Sequence, residues 1–332
     1  MRKYLFALVA AFAAFVPVFL AAALAAGLVV SNAFEPIYKQ RYQNQKSTYY
    51  HKYDGGIPID NYTLLGRLGS CRKQKNIITL GTSTTREGVL EDKLDLAGGY
   101  KFINFSIPSQ GINELYMMLD FINQFSPHKP DKTDWIKIDI SVAFFKKRPA
   151  DESIFAQTAE NGRVYRADRE NLTVSRGAGS GFVFWQFLKL QSLIDECRAS
   201  IKNKPITVEP YKESMFKRYK ELWTRNLDDF DLSSLEQERF FAALEPLTGQ
   251  TNVAVEAIYG GSWLYDTKQG KQYLQWIDDV LKPRLDQMSI AFLDTGAAIE
   301  DAYYAEQSHL NYEGRVKYTE LENELLNQLT GS

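Results

Sequence analysis

Asn76-Ile77-Ile78-Thr79-Leu80-Gly81-Thr82-Ser83 decides how this chain is read. A short apolar run ends in a glycine and two hydroxyl residues, the pattern of a buried strand entering a tight turn. Outward from it the pattern alternates. Thr84–Asp95 suits a helix, Phe102–Ile107 a second strand, and Gly111–Phe125 a helix with Leu115, Met118, Leu119 and Ile122 at helical spacing. Trp135–Val142, where Ile136, Ile138 and Ile140 alternate with larger or polar residues, is a third strand. Strands alternating with helices predict βαβ units and a mostly parallel sheet.

The middle of the chain breaks this rhythm. Phe144–Gly181 is polar and charged, with Gly177, Gly179 and Gly181 near its end, and reads as an insertion or lid. Helical stretches follow at Phe182–Ile201, Tyr211–Asn226 and Ser233–Ala243. The α/β pattern then resumes with strand Asn252–Ile258, helix Lys271–Asp286, strand Ser289–Leu293 and a last helix Glu313–Leu329. The expected organisation is one α/β domain over residues 76–330, with a mainly helical insertion at about 144–250, after a polar, Tyr-rich lead-in at 32–75.

Residues 1–31 differ from everything after them. Arg2 and Lys3 precede a charge-free stretch from Tyr4 to Val30. That exceeds the ~20 residues that cross a bilayer as a helix and the roughly 7–15-residue apolar core of a cleaved signal peptide. The expectation is one uncleaved transmembrane signal anchor, its amino terminus cytoplasmic and the bulk of the chain outside. Ala21–Gly27 offers small-residue cleavage sites, so a removed signal peptide stays open. Across all 332 residues the net charge is −2, which gives no electrostatic footprint for nucleic acid. Cys71 and Cys197 are the only cysteines, and either one disulfide or two thiols fits. Neither sits in a metal-ligand spacing, and no metal or cofactor is expected.

In open parallel sheets ligands bind beyond the carboxyl ends of the strands. Ser83, the Ser106–Gly111 turn, Ser141 and Gly260-Gly261-Ser262-Trp263 all fall at such ends, and Glu306-Gln307-Ser308-His309-Leu310-Asn311 lies beyond the last strand. Ser83 has two readings: a helix N-cap or a nucleophile. Glu306 and His309 likewise form either a local polar contact at a helix start or a carboxylate holding a catalytic imidazole. Taken together, a serine on a tight turn and a histidine three residues after a carboxylate are the parts of a Ser-His-acid site. Trp263 and Tyr265 offer sugar-stacking surfaces or core packing. Lys146-Lys147-Arg148 reads as a solvated loop or a contact for phosphate or an acidic polymer, and Asn61-Tyr62-Thr63 and Asn171-Leu172-Thr173 match the N-glycosylation pattern.

These segments resemble the blocks of SGNH (GDSL-type) hydrolases. Gly81-Thr82-Ser83 is similar to their Gly-Asp-Ser block, Asn104-Phe105-Ser106-Ile107-Pro108-Ser109-Gln110-Gly111 to their second block, and Glu306 to Asn311 with Gly314 to their last block, Asp-x-x-His-Leu-Asn-x-x-Gly. Glu306 stands for the usual Asp, Ser109 for an oxyanion-hole glycine, and the Gly-x-Asn-Asp block has no match. The resemblance implies a flavodoxin-like three-layer α/β fold. It implies a catalytic Ser83, His309 and Glu306, with an oxyanion hole drawn from Ser83, Ser109, Gly111 and, as a substitute donor, Ser141. With an anchor attached, the arrangement resembles the membrane-bound SGNH-like proteins of bacterial cell-envelope O-acylation, such as the teichoic acid D-alanyl transfer protein and the alginate O-acetyltransferases. That implies a single-pass bacterial membrane protein facing the periplasm or cell exterior. It would act as an acyltransferase or esterase on a cell-envelope glycan or acyl ester, beside a membrane-bound O-acyltransferase. The rival expectation is a non-catalytic scaffold or glycan-binding accessory. A Ser83–His309 separation beyond about 10 Å on rigid elements would favour it, since no attack geometry could then form.

Overall fold

The computed structural model describes residues 73–147 except 108, then 165–176, 227–295, 299–304 and 308–331, with Leu68, Cys71 and a few residues among the first 25. Of the expected anchor it describes only Tyr4, residues 14–19, 21, 22 and 25, all helical; the rest of that expectation, and the helices expected at Phe182–Ile201 and Tyr211–Asn226, lie outside the described residues. Among the described residues no helix is long and apolar enough to cross a membrane. The chain divides into two units, Met1–Gln45 with Gly177–Ile206, and Lys46–Arg176 with Thr207–Ser332. The second unit holds every strand among the described residues.

Its centre is a five-stranded parallel sheet. The strands are β1 (Asn76–Leu80), β2 (Lys101–Asn104), β3 (Trp135–Ile140), β6 (Asn252–Ala257) and β7 (Ala291–Asp294), in the order 2-1-3-6-7. That order is compatible with a flavodoxin-like arrangement, whose chain reverses direction between β1 and β3. A small antiparallel hairpin, β4 (Tyr165–Asp168) and β5 (Thr173–Arg176), stands apart from the sheet. Its bounds fall inside the stretch expected to be an insertion.

Helix α1 is Ser83–Gly88, α2 Ile112–Phe125, α3 Ser234–Thr248, α4 Trp263–Asp266, α5 Lys268–Trp276, α6 Lys282–Gln287 and α7 Tyr312–Gly331. Two departures from expectation have local causes. The first helix stops at Gly88 instead of Asp95: Val89 is extended, and the Leu90 amide donates to Thr319 Oγ1 at 2.9 Å, so a tertiary bond replaces the next helical turn. The helix expected at Lys271–Asp286 runs instead as α5 and α6 joined by a π-helical turn at Ile277–Leu281. Ser289, expected to start a strand, sits at φ 56 in the turn before β7.

Ile77, Ala254 and Leu293 of the sheet bury against Leu326 and Leu329 of α7, forming one apolar core cluster. At roughly 1.5–3 kcal/mol per large side chain removed from water, this face fixes α7 on the sheet. An aromatic group, Phe144, Phe145, Phe240 and Trp276, packs edge to face and joins the segment after β3 to α3 and α5. The hairpin is held to α2 by Tyr165, edge-on to Phe121 at 4.7 Å, and by the Val174 amide donating to Asp120 Oδ2 at 2.6 Å.

The α7 face is not wholly apolar. Lys137 is fully buried on β3, with Asp139 Oδ1 and Glu322 Oε1 each 2.7 Å from its Nζ and Glu256 Oε2 in closer contact still. Tyr318 of α7 adds a hydroxyl 3.2 Å from Glu256 Oε1. The alternation of Ile with Lys and Asp along β3 therefore does not mark a wet face: both faces are covered.

Candidate active site

The site is built where β1 ends. Gly81 is required by crowding: a Cβ there would collide with Thr85 Oγ1 and lie 3.0 Å from Asp139 Cβ. Thr82 then takes the N-cap, its extended backbone letting Oγ1 accept from the Thr84 amide at 3.3 Å. This separates two roles that one hydroxyl residue could have filled. Thr82 caps the helix, and Ser83, the first helical residue, keeps its hydroxyl for a contact across the chain.

That contact is His309. Ser83 Oγ lies 2.8 Å from His309 Nε2 although the residues are 226 apart in sequence. The histidine is buried and its loop is locked from both sides. Tyr304 and Leu310 form a short antiparallel bridge. Asn311 caps α7 by accepting from the Gly314 amide at 2.9 Å, and its own amide and side chain reach Tyr303 O and Ala302 O. Gly314 is needed because a Cβ there would run into Tyr303 O. Ser308 Oγ stands 3.1 Å from the other ring nitrogen, Nδ1. Glu306, expected to hold that side of the ring, lies outside the described residues.

One acidic residue in this cluster was not anticipated. Glu87 is one helical turn beyond Ser83 and is buried. Its Oε2 lies 3.7 Å from His309 Nε2, and its Oε1 accepts from Arg86 Nη2 at 3.1 Å. Burial pushes the Glu87 carboxyl up from its ordinary value, while His309, Arg86 and Arg315 pull it back. The i,i+4 spacing from Ser83 was the available signal, since residues four apart share a helix face.

The second turn is also tied to the site. Asn104 at the end of β2 donates through Nδ2 to Thr85 O at 3.3 Å and accepts from the Ser106 amide at 3.2 Å. Ser109 adopts φ 58, the left-handed region that glycine enters freely, so the serine at the expected glycine position keeps a glycine-like backbone. The Gly111 amide, expected as an oxyanion donor, instead donates to Glu114 Oε2 at 2.9 Å as part of the cap of α2. Ser141 follows β3, the neighbouring strand, and caps a 3₁₀ turn at Val142–Phe145.

Trp263 and Tyr265 lie on α4, after β6. Tyr265 is engaged by the protein itself: its hydroxyl accepts from the Gly260 amide at 2.9 Å and its ring packs 5.5 Å from Tyr259. Burial pushes its hydroxyl pKa up. A small cavity is lined by Thr84 and Leu310, next in sequence to Ser83 and His309, together with Ile258, Tyr259, Tyr304 and Tyr318 among others.

The remaining sequence candidates sit elsewhere. Lys146 bridges to Phe230 and the Lys147 amide donates to Asp229 O at 2.7 Å, while Arg148 is outside the described residues. Asn171 is exposed in the hairpin turn and donates to Asp168 Oδ2 at 2.8 Å. Cys71 is a free, half-buried thiol whose pKa burial raises; Cys197 is outside the described residues.

Among the described residues, ligand atoms of His128, Asp131 and Asp134 lie within 4.8 Å of one another. They stand at the amino ends of the strands, away from Ser83. Asp134 is already engaged there, accepting from Asn76 N and Nδ2 at 2.7 Å and from the Asp131 amide at 3.0 Å.

The chain matches no protein-family model and no curated protein.

Proposed function

We propose that this chain is a membrane-anchored, extracytoplasmic SGNH-like acyl-transfer protein that acylates or deacylates a cell-envelope glycan through an acyl-Ser83 intermediate. The observation that carries this reading is the 2.8 Å approach of Ser83 Oγ to His309 Nε2. It falls beyond the carboxyl end of β1, beside the point where strand order reverses, which is where open α/β sheets bind ligands. The flavodoxin-like three-layer arrangement and the family resemblance belong to the same proposal.

In the first half-reaction Ser83 Oγ attacks the carbonyl of an acyl ester while its proton passes to Nε2. The tetrahedral intermediate collapses, the carbon–oxygen bond to the leaving group breaks, and Nε2–H returns the proton to that oxygen. In the second half, a glycan hydroxyl (or water, for an esterase) gives its proton to Nε2 and attacks the acyl-serine, and Ser83 regains its proton. Ser308, and Glu306 by resemblance, would fix the ring tautomer from the Nδ1 side. The amides of Ser83 and of the Ser109 turn would face the developing oxyanion, where each donor is worth about 2.7–4 kcal/mol.

Ser83→Ala and His309→Ala in the full chain, assayed with a small acyl ester, test the reading; wild-type turnover in both removes it. The commitment of the Gly111 amide to Glu114 favours a second reading, a non-catalytic scaffold or glycan-binding partner of a membrane-bound O-acyltransferase. Glycan binding that survives Ser83→Ala, with no ester turnover in the wild type, would select it.

A further inference from the structure

Resting on the Ser83–His309 reading, we propose that Glu87 is a positioning carboxylate on the Nε2 side of His309, stabilising the imidazolium that forms when Ser83 gives up its proton. A Ser-His-acid site ordinarily places its carboxylate on Nδ1. Glu87 approaches the opposite nitrogen, from the helix that carries the nucleophile.

The distances support a division of labour. At 2.8 Å Ser83 Oγ is within hydrogen-bond range of Nε2, whereas Glu87 Oε2 at 3.7 Å is beyond it. Glu87 therefore does not compete with Ser83 for the nitrogen of the neutral ring. Coulomb attraction falls only as the inverse of distance, so the carboxylate still acts on the charged ring. Its strength is increased because both side chains are buried.

The bland alternative is that Glu87 merely pairs with Arg86. That pairing uses Oε1 alone and leaves Oε2 buried without a hydrogen-bond partner among the described residues. That oxygen faces His309, the group that gains a positive charge during the reaction. Among the described residues, Arg86 on the same helix and Arg315 on α7 are cations facing Glu87; with His309 they oppose the burial that favours its neutral form. Among the described residues, Ser83 and Ser308 also place polar groups against the imidazole.

The sign follows directly. A carboxylate beside Nε2 raises the pKa of His309, so removing its charge lowers that pKa. The chain has three histidines, which makes the imidazole NMR signals assignable. In Glu87→Gln the His309 midpoint should fall by about one pH unit or more, the effect of an opposite charge within 4–6 Å. The acid limb of kcat/KM against pH should move down with it, and kcat at the plateau should drop about 10-fold or more. Glu87→Asp, which keeps the charge but withdraws it, should restore part of both. An unchanged His309 midpoint in a folded Glu87→Gln protein overturns the proposal.

Should that variant not fold, the wild type supplies the measurement. The Glu87 side-chain carboxyl carbon should show a step at the pH where His309 titrates, because coupling is reciprocal. Absence of that step overturns the proposal equally. These titrations need no substrate, so a Ser83→Ala protein with full turnover would sink the acyl-transfer reading while leaving the Glu87–His309 coupling to be judged separately.

Discussion

Two buried polar clusters share this sheet, and they behave differently. At the strand ends, Ser83, His309 and Glu87 place a hydroxyl, an imidazole and a carboxylate together. In the interior, Lys137, Asp139, Glu256, Glu322 and Tyr318 surround one ammonium with three carboxylates. Burial raises the carboxyl pKa in both. Perturbed titration is therefore not what distinguishes a reactive site from a structural one. In the interior cluster three carboxyl groups hold the Lys137 amine as an ammonium, and the cluster is sealed between the sheet and α7. The edge cluster sets a serine hydroxyl against an imidazole, which on the proposed reading takes and returns a proton. The two are also mechanically linked, since Tyr318 and Glu322 lie on α7, the helix that starts just after His309.

The comparison breaks most decisively at Ser83. Ser83→Ala should lower kcat/KM on a small ester by about 10³-fold or more while leaving the thermal midpoint within a few degrees of wild type. A variant that unfolds instead would make the edge cluster a structural element like the interior one. Lys137→Met should do the reverse. It removes the cation facing three buried carboxyls and, at pH 9 where Asp139 and Glu256 are ionised, should cost about 3–5 kcal/mol in urea unfolding; a change under 1 kcal/mol there would mean Lys137 does not hold them.

The interior cluster also sets a pH dependence. Asp139 is raised to about 7 and Glu256 to about 8, first by burial, then by repulsion from neighbouring carboxylates, with Lys137 opposing both. A carboxyl whose folded pKa is raised gives stability that is complete below its unfolded value near 4 and is lost as pH rises through the folded value. The protein should therefore unfold at lower urea at pH 9 than at pH 5. At 1.36 kcal/mol per unit of displacement the difference should be on the order of a few kcal/mol. Equal midpoints would mean the cluster does not hold its protons. The smallest effect is expected at Thr82. Thr82→Ala removes the cap of α1 and should cost about 1 kcal/mol, with the loss read in the same urea titration.

How much of this was legible in the sequence depends on whether a residue's role is local. The strand Asn76–Leu80 has the bounds expected of it, because a short apolar run before glycine has few alternatives. The helix after it was overextended because its end is set by Thr319, 229 residues away. Thr82 and Ser83 carry similar hydroxyls, and only the approach of His309 distinguishes cap from contact. Glu87 stood at a readable i,i+4 spacing but resembled an ordinary helix-surface charge. The interior cluster was visible only as Lys137 and Asp139 among isoleucines, a pattern that equally describes a half-exposed strand. Its buried character comes from Glu256 and Glu322, which sequence alone does not bring to them.

The central claim is that Ser83 becomes covalently acylated. The direct measurement is intact-protein and peptide mass spectrometry of the full chain after brief acid quench from a small activated acyl ester. One acyl group is expected on the peptide containing Ser83, absent in Ser83→Ala and formed more slowly in His309→Ala. An unmodified Ser83 peptide under conditions where the ester is turned over would contradict it.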